Sequence, residues 1–209
     1  MCLSRCMNKA TGSGELEVPH TLPVMVLGGV TLFPNTLLPL FIFEQRYKAM
    51  LEKALDTDRL LAVAQPLREN EERLCPVAGV GLIRACVKKE DGSSHLILQG
   101  IDRVKFTGWP QLVPFRMASV QRVGLIEDEG IDARQERLVH LRVILERGGL
   151  PVPQEMGEHL ARIEDPDALT DIAASALVKD PAKRQRILAE ESNVRRQELL
   201  LQFLREELS

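Results

Sequence analysis

The chain has 209 residues, of which 44% are hydrophobic and 27% charged, and its formal net charge is −3. This composition is typical of a soluble globular protein, and the length allows one large or two small domains. No apolar run approaches the ~18 residues that a membrane-spanning helix requires. The N-terminal stretch also lacks the apolar segment of a signal peptide. We therefore predict a cytoplasmic protein with no membrane partner.

Residues 1–18 are rich in serine, glycine, asparagine and lysine, which predicts a flexible N-terminal tail. The cysteines form no CxxC pair and have no histidine at metal-ligand spacing; they are Cys2, Cys6, Cys75 and Cys86. In a cytoplasmic protein this pattern favours reduced thiols over disulfides. We predict no metal site and no cofactor.

Short apolar blocks separated by turn residues follow the tail. They predict strands at Leu22–Leu27, Val30–Phe33 and Leu37–Phe43, with turns at Gly28-Gly29 and Pro34-Asn35. Each block has the length and composition of a strand. The segment therefore predicts a β structure that reverses direction twice before any helix.

Prolines and a helical pattern refine this prediction. Because proline cannot donate to a sheet ladder, Pro23 and Pro39 favour edge or bent strands. Glu44 begins a helical pattern, and the apolar face of this helix is predicted to pack on the sheet through Tyr47, Met50 and Leu51.

The β pattern continues to about residue 124. The further predicted strands are Leu60–Gln65, Val77–Lys89, His95–Gln99, Ile101–Phe106 and Pro114–Val120. Asp91-Gly92 is a hairpin signal, and Gly100 is predicted to kink the chain between two strands. Short strands joined by hairpins, with one helix after the third, favour a small, partly closed barrel over residues 19–124.

The Gly79-Val80-Gly81 segment has two interpretations. A GxG pair can belong to a phosphate-binding loop, but the rest of such a motif and its helix are missing here. We favour a bulge or bend in a strand that curls into a barrel.

The pattern becomes helical in the second half. Ile126–Gly130 is acidic and is predicted to be a linker, and residues 131–209 are predicted to form an all-helical subdomain. Asp165-Pro166 and Asp180-Pro181 each place an N-cap residue before a proline at the first helical position. These pairs predict the starts of two of its five helices.

The opening segment resembles the N-terminal, substrate-binding domain of the Lon protease family. The resemblance rests on Leu22-Pro23-Val24, Leu32-Phe33-Pro34-Asn35, Leu38-Pro39-Leu40 and Ile42-Phe43-Glu44-Gln45-Arg46-Tyr47. Asn35 stands where the family has glycine, and Gln45 stands where it has proline. The residues that carry the motif are Leu32, Phe33, Pro34, Pro39, Glu44, Arg46 and Tyr47. Gly100-Ile101-Asp102-Arg103-Val104 resembles a further family pattern.

The resemblance implies an α+β fold, with a barrel of the PUA-like (pseudouridine-synthase-associated) type followed by a helical bundle. Full Lon proteases continue into an ATPase and a Ser–Lys peptidase. This chain has no Gly-Lys dipeptide for a Walker A loop and no recognisable Ser–Lys dyad. We therefore predict a stand-alone member that is not an enzyme and has no catalytic residue.

Two groups of charged residues could be interpreted as functional sites. Glu44, Arg46 and Tyr47 could form a catalytic trio, but we favour a carboxylate at a helix N-terminus and an arginine that pairs across the barrel. The basic clusters of the helical half could bind nucleic acid. We interpret them as solvated helix faces because acidic residues outnumber basic ones in that half.

The favoured function is a protein-binding module that captures unfolded or exposed apolar segments of client proteins. Open edge strands and an apolar groove between barrel and helices would supply the contacts. The candidate contact residues are Phe33, Phe41, Phe43, Trp109 and Phe115, and Trp109 is expected to be exposed in a turn. A separate protease or chaperone is a further candidate partner.

The alternative function is an RNA-binding PUA-like module. Its local support is a slight positive charge balance in the β half. Nucleic acid is accordingly not the expected partner. A hydrolase is a third hypothesis, but no set of residues supports it.

Overall fold

The structure is a computed structural model that describes residues 17–67, 73–147 and 154–207. Its strands, in chain order, are β1 (Thr21–Val26), β2 (Leu37–Ile42), β3 (Leu60–Ala64), β4 (Val77–Lys88), β5 (Ser94–Gln111) and β6 (Arg116–Arg122). Its helices are α1 (Gln45–Leu55), α2 (Ile131–Arg147), α3 (Gln154–Ala161), α4 (Pro166–Leu177), α5 (Pro181–Ala189) and α6 (Asn193–Glu207). No helix within these ranges is long and apolar enough to cross a membrane.

The strands form one sheet in the order β2-β5-β4-β3-β1-β6, and β5 also pairs with β6. This second pairing curls the sheet into a partly closed barrel, to which β2 is attached as an edge strand. β1 and β3 pair in parallel, and the other pairs are antiparallel. Since α1 lies in the barrel half and five helices follow β6, the predicted α+β fold is confirmed.

Two strand predictions were wrong. Val30–Phe33 forms no strand, because this segment leaves the sheet and passes close over β4 and β5. As a result, α1 follows the second strand and not the third. Gly100 also does not divide β5, because it stays paired with Gly81 within one continuous strand.

The Leu32–Phe33 crossing depends on glycines in the strands beneath it. A Cβ atom on Gly79 would lie 1.9 Å from the carbonyl oxygen of Leu32, and one on Gly100 would lie 1.9 Å from that of Phe33. No side chain fits at these distances, so the backbone can approach β4 and β5 only at these positions. The register shift between Val80 and Gly81 places the extra residue, Ile101, in β5, so this bulge lies in the strand opposite the predicted segment.

The turn after the crossing returns the chain to the sheet. Asn35 has a φ of 62°, the left-handed conformation that asparagine tolerates better than most residues. Its N–H donates to Gly100 O at 2.9 Å, and the Gly100 N–H donates to Thr36 O at 2.8 Å. These bonds set the register in which β2 then pairs with β5.

Helix α1 packs against β1 and β3 through its predicted face, on which Tyr47, Met50 and Leu51 are buried. The Tyr47 hydroxyl donates to Val26 O at 2.8 Å and accepts from the Val26 N–H at 3.2 Å. It therefore satisfies both backbone groups at the end of β1. Glu44 is the N-cap residue, and its carboxylate accepts a hydrogen bond of 2.9 Å from Arg46 Nε.

The two prolines occupy different settings. Pro39 lies in an edge strand, as predicted. Pro23 lies in β1, which is not an edge strand because β3 and β6 flank it. Proline is tolerated there because pairing with β3 begins only at Val24, so Pro23 has a strand partner on one side only.

The helical half contains the two predicted N-caps. Asp165 accepts from the backbone N–H groups of Asp167 and Ala168, and Asp180 accepts from those of Ala182 and Lys183. In the core of this half, the fully buried Arg196 pairs with Asp171. Charged groups as well as apolar contacts therefore hold these helices together.

The two halves share one apolar cluster. Phe33, Val77 and Val123 from the β half pack with side chains of the helices, so the predicted groove between barrel and helices is filled. Arg103, which is buried in β5, donates to Leu188 O at 3.1 Å and to Glu190 O at 2.9 Å. The two predicted subdomains, divided at residues 124–131, are therefore in close contact through a packed interface. Whether they fold as separate units stays a prediction.

The ends of the predicted subdomains are also held in place. Within the predicted linker, the Ile126 N–H donates to Glu191 O at 2.9 Å, and Asp128 accepts from the Ser192 hydroxyl at 2.6 Å. Val18, at the end of the predicted tail, packs against the barrel. The rest of that prediction, including Cys2 and Cys6, lies outside the described residues. Cys75 and Cys86 are free thiols, and burial raises the pKa of Cys75.

We predict that Gly100→Ala destabilises the protein by about 3 kcal/mol or more, because the added Cβ displaces the backbone of Phe33. Gly108→Ala in the same strand is the matched control, since its Cβ would lie an ordinary 3.7 Å from Ser119 Oγ. Its effect should stay within about 0.5 kcal/mol. Urea unfolding measures both. Equal effects of the two substitutions would contradict the crossing.

Candidate functional site

A cluster of exposed apolar side chains covers the outside of the sheet where β2, β5 and β4 lie side by side. We call it the outer apolar surface, and its members are Leu37, Pro39, Phe41, Phe43, Val87 and Ile97. The register places Pro39 opposite Ile97, and Ile97 opposite Ala85 of β4. The side chains come from three adjacent strands and form one continuous patch.

Strand β2 is apolar on both faces. Leu38, Leu40 and Ile42 pack against the barrel core. The alternate residues point outward because successive side chains of a strand face opposite ways. Leu37 is 67% exposed and Phe43 is 63% exposed. A solvent-facing strand surface is usually polar, so the barrel itself does not account for these residues.

Phe41 is the centre of an aromatic group. Its ring centroid lies 5.9 Å from that of Phe43 and 5.0 Å from that of His95. The Lys89 ammonium lies 5.1 Å from the Phe41 centroid, within the range of a cation–π contact. The arrangement offers flat apolar faces beside a positive charge.

The patch adjoins an open backbone edge. Because the Gly100 N–H donates to Thr36 O, the alternate residues Leu38 and Leu40 direct their backbone groups toward β5. Leu37, Pro39 and Phe41 then direct theirs away from β5, where the described part of the chain supplies no further strand.

The structure brings together only Phe41 and Phe43 of the five predicted contact residues. Phe33 is 0% exposed and belongs to the core shared with the helices, so it does not reach the surface. Phe115 is half-buried against the barrel core. These two predicted contacts therefore contribute mainly to packing.

Trp109 lies in β5 and not in the predicted turn. It is exposed, as expected, although its exposed fraction of 39% is smaller than those of Phe41 and Phe43. Its ring centroid is 4.9 Å from that of Phe106, and the Arg116 guanidinium lies 6.0 Å away. Within β5 it is far along the strand from Ile97.

Leu37, Val87 and Ile97 were not among the predicted contact residues. The alternation in β2 identifies Leu37, Pro39 and Phe41 as one face, but the opposite face is equally apolar. Sequence alone therefore does not show which face points outward. Val87 and Ile97 become part of the surface only through the β4–β5 register.

The basic groups of the helical half are largely engaged within the protein. Lys183 pairs with Glu206 at 2.8 Å, and Arg195 pairs with Glu198 at 2.7 Å. Burial and the nearby charge of Arg103 lower the pKa of Arg196 to about 9, which still leaves it protonated at neutral pH. Within the described ranges, no group of three or more His, Cys, Asp or Glu side chains could hold a metal ion.

Comparison with known proteins gives a family match over nearly the whole chain. Residues 21–206 match the ATP-dependent protease La (LON) substrate-binding domain. The chain is 27% identical over 191 residues to a Lon protease of Desulfosudis oleivorans, covering 86% of this chain and 23% of that protein. It is 31% identical over 184 residues to Lon protease 2 of Herpetosiphon aurantiacus, covering 80% and 21% respectively. The chain thus spans about a quarter of the length of these relatives.

Solved structures show the same fold. The N-terminal domain of Mycobacterium avium complex Lon protease aligns with a TM-score of 0.69 at 16% identity, covering 89% of this chain and 98% of that one. A Lon N-terminal domain protein from Xanthomonas campestris aligns with a TM-score of 0.68 at 20% identity, covering 88% and 98% respectively. The chain belongs to the family of the LON substrate-binding domain.

Proposed function

We propose that this domain is a non-catalytic module that captures exposed apolar segments of client proteins on the outer apolar surface. The observation that carries the proposal is the continuous patch on β2, β5 and β4, which the barrel does not need for its own core. Membership of a substrate-binding family supports the recognition of protein substrates. Delivery of clients to a separate cytoplasmic protease or chaperone would complete this role.

The chemistry of the patch fits unfolded polypeptide. Contiguous exposed apolar surface on a soluble protein commonly marks an interaction site. Phe41 and Phe43 are large, two-angle side chains that bury much area at a small cost in conformational entropy. Such contacts require only apolar side chains on the client and do not depend on one sequence.

The groups that could suggest catalysis have structural roles. The Tyr47 hydroxyl is bonded to the backbone of Val26, and the Glu44 carboxylate is bonded to Arg46. Neither arrangement leaves a nucleophile paired with a base, which nucleophilic catalysis would need. This supports a binding role for the described part of the chain.

We next predict the effect of the Phe41→Ser/Phe43→Ser double variant. Loss of both rings should weaken binding of a reduced, alkylated unfolded protein at least about tenfold, because buried aromatic anchors dominate such interfaces. Fluorescence anisotropy of the labelled client measures the affinity.

The matched control is Val139→Ser/Val143→Ser, which removes two exposed apolar side chains from α2. Its affinity for the client should remain near the wild-type value. Equal losses in both double variants would show that binding does not depend on the outer apolar surface.

The dependence on salt separates client binding from RNA binding. Apolar contacts persist or strengthen as salt rises, so affinity for the unfolded client should stay constant or increase between 50 and about 500 mM salt. Binding of a structured RNA would weaken steeply over the same range because released counterions drive it. Salt-sensitive RNA binding without client binding would overturn the proposed function in favour of the RNA-binding alternative.

A further inference from the structure

The open edge of β2 is directly continuous with the outer apolar surface. Leu37, Pro39 and Phe41 place their side chains in the patch and direct their backbone groups away from β5. One row of residues thus offers both apolar contact and hydrogen-bonding groups. A ligand lying along this row could use both at once.

We infer that a client segment binds in extended conformation as an added strand alongside β2. This inference rests on the proposed function and specifies how that site would recognise its substrate. The segment carries apolar side chains at every second position and a carboxylate beside the residue opposite Phe41. Main-chain bonds supply affinity, and the alternate side chains supply selectivity.

The edge defines how many bonds an added strand can form. Leu37 and Phe41 each offer an N–H and a C=O, whereas Pro39 offers only a C=O because proline has no N–H. These groups span about 13 Å at a strand rise of about 3.3 Å per residue. A client segment of about five residues therefore covers the edge, and only one set of alternate amides faces β2.

Charge complementarity favours an acidic flank on this segment. Lys89 lies beside Phe41, and Arg84 lies in the β4 bulge near the patch. Neither makes an ion pair within 4.0 Å to any residue that the structure describes. The acid beside Phe43, Glu44, is already paired with Arg46 at 2.9 Å. Asp91 of the neighbouring hairpin interacts with the Lys89 charge but does not pair with it within 4.0 Å, so the Lys89 ammonium beside the Phe41 ring is the group that a client carboxylate would contact.

A second copy of this chain fits the edge less well. Pairing of two β2 strands would bring together two copies of Pro39, so the shared ladder would lack two donors instead of one. A foreign strand without proline leaves only one donor missing from the ladder.

The test uses a labelled peptide, Asp-Leu-Thr-Val-Thr-Phe-Thr, and two forms of it that are N-methylated on alternate sets of amides. Strand addition predicts that one form loses at least tenfold in affinity by fluorescence anisotropy, while the other stays within about twofold of the unmodified peptide. The methyl groups abolish binding only where they face β2. If both forms bind equally well, or both equally poorly, strand addition is wrong.

Lys89→Ala supplies a second readout. It should weaken the acidic peptide about three- to fivefold, as expected for an exposed ion pair, and should leave the version with Asn in place of Asp unchanged. Equal effects on both peptides would overturn the acidic flank.

Two outcomes separate this inference from the proposed function. If the unfolded protein binds in a manner that depends on Phe41 and Phe43 but the peptide does not bind, strand addition fails while the proposed function stands. If sedimentation shows a dimer that the peptide dissociates, the edge belongs to a second copy and the inference is overturned.

Discussion

The close passage of the Leu32–Phe33 backbone over two strand glycines is the constraint on which the rest of the structure depends. It needs Gly79 and Gly100, since a Cβ on either would lie 1.9 Å from a carbonyl oxygen of the crossing segment. The crossing sends Phe33 into the core that the barrel shares with the helices. The crossing ends at Asn35, whose backbone bond to Gly100 places the following residues in register to form β2.

This route explains why an apolar strand lies at the edge of the sheet. β2 follows directly from the crossing and pairs only with the first part of β5, so its other edge stays open in the described structure. Its inner face completes the barrel core, while its outer face contributes Leu37 and Phe41 to the patch. The same constraint therefore shapes the core and presents the candidate binding surface.

The family motif acquires a physical meaning from these contacts. Leu32 and Phe33 make the crossing, and Tyr47 holds α1 to the end of β1 through two hydrogen bonds to Val26. Arg103 donates to the carbonyl groups of Leu188 and Glu190 at the C-terminal end of α5. These bonds join β5 to the helical half. A buried arginine in this role leaves acceptors unsatisfied if it is removed, at a typical cost of about 1–3 kcal/mol for each buried group.

Much of this fold could be predicted from local patterns. The Asp-Pro pairs at Asp165 and Asp180 marked helix starts, and Pro39 marked an edge strand, because each signal acts through its own backbone. Val30–Phe33 was mistaken for a strand because a buried crossing segment has the same composition as a buried strand. What distinguishes the two is the pair of glycines more than 40 positions later in the sequence, and only tertiary structure relates them.

The candidate site was less predictable for a related reason. Aromatic content identified Phe41 and Phe43, but it also selected Phe33 and Phe115, which pack inside. Exposure depends on which face of an all-apolar strand the barrel buries, and composition does not encode that choice. The contribution of Ile97 likewise depends on the register of β5 against β2.

Native-state hydrogen exchange tests most directly the claim that the crossing and its contacts join the two halves into one cooperative unit. The amides of Leu61 in β3 and Leu200 in α6 both belong to fully buried residues. The account predicts that, in low denaturant, both exchange only through global unfolding and with the same free energy of opening. Exchange of Leu200 at a clearly lower free energy, while Leu61 stays protected, would show that the helices open independently of the barrel and would contradict the account.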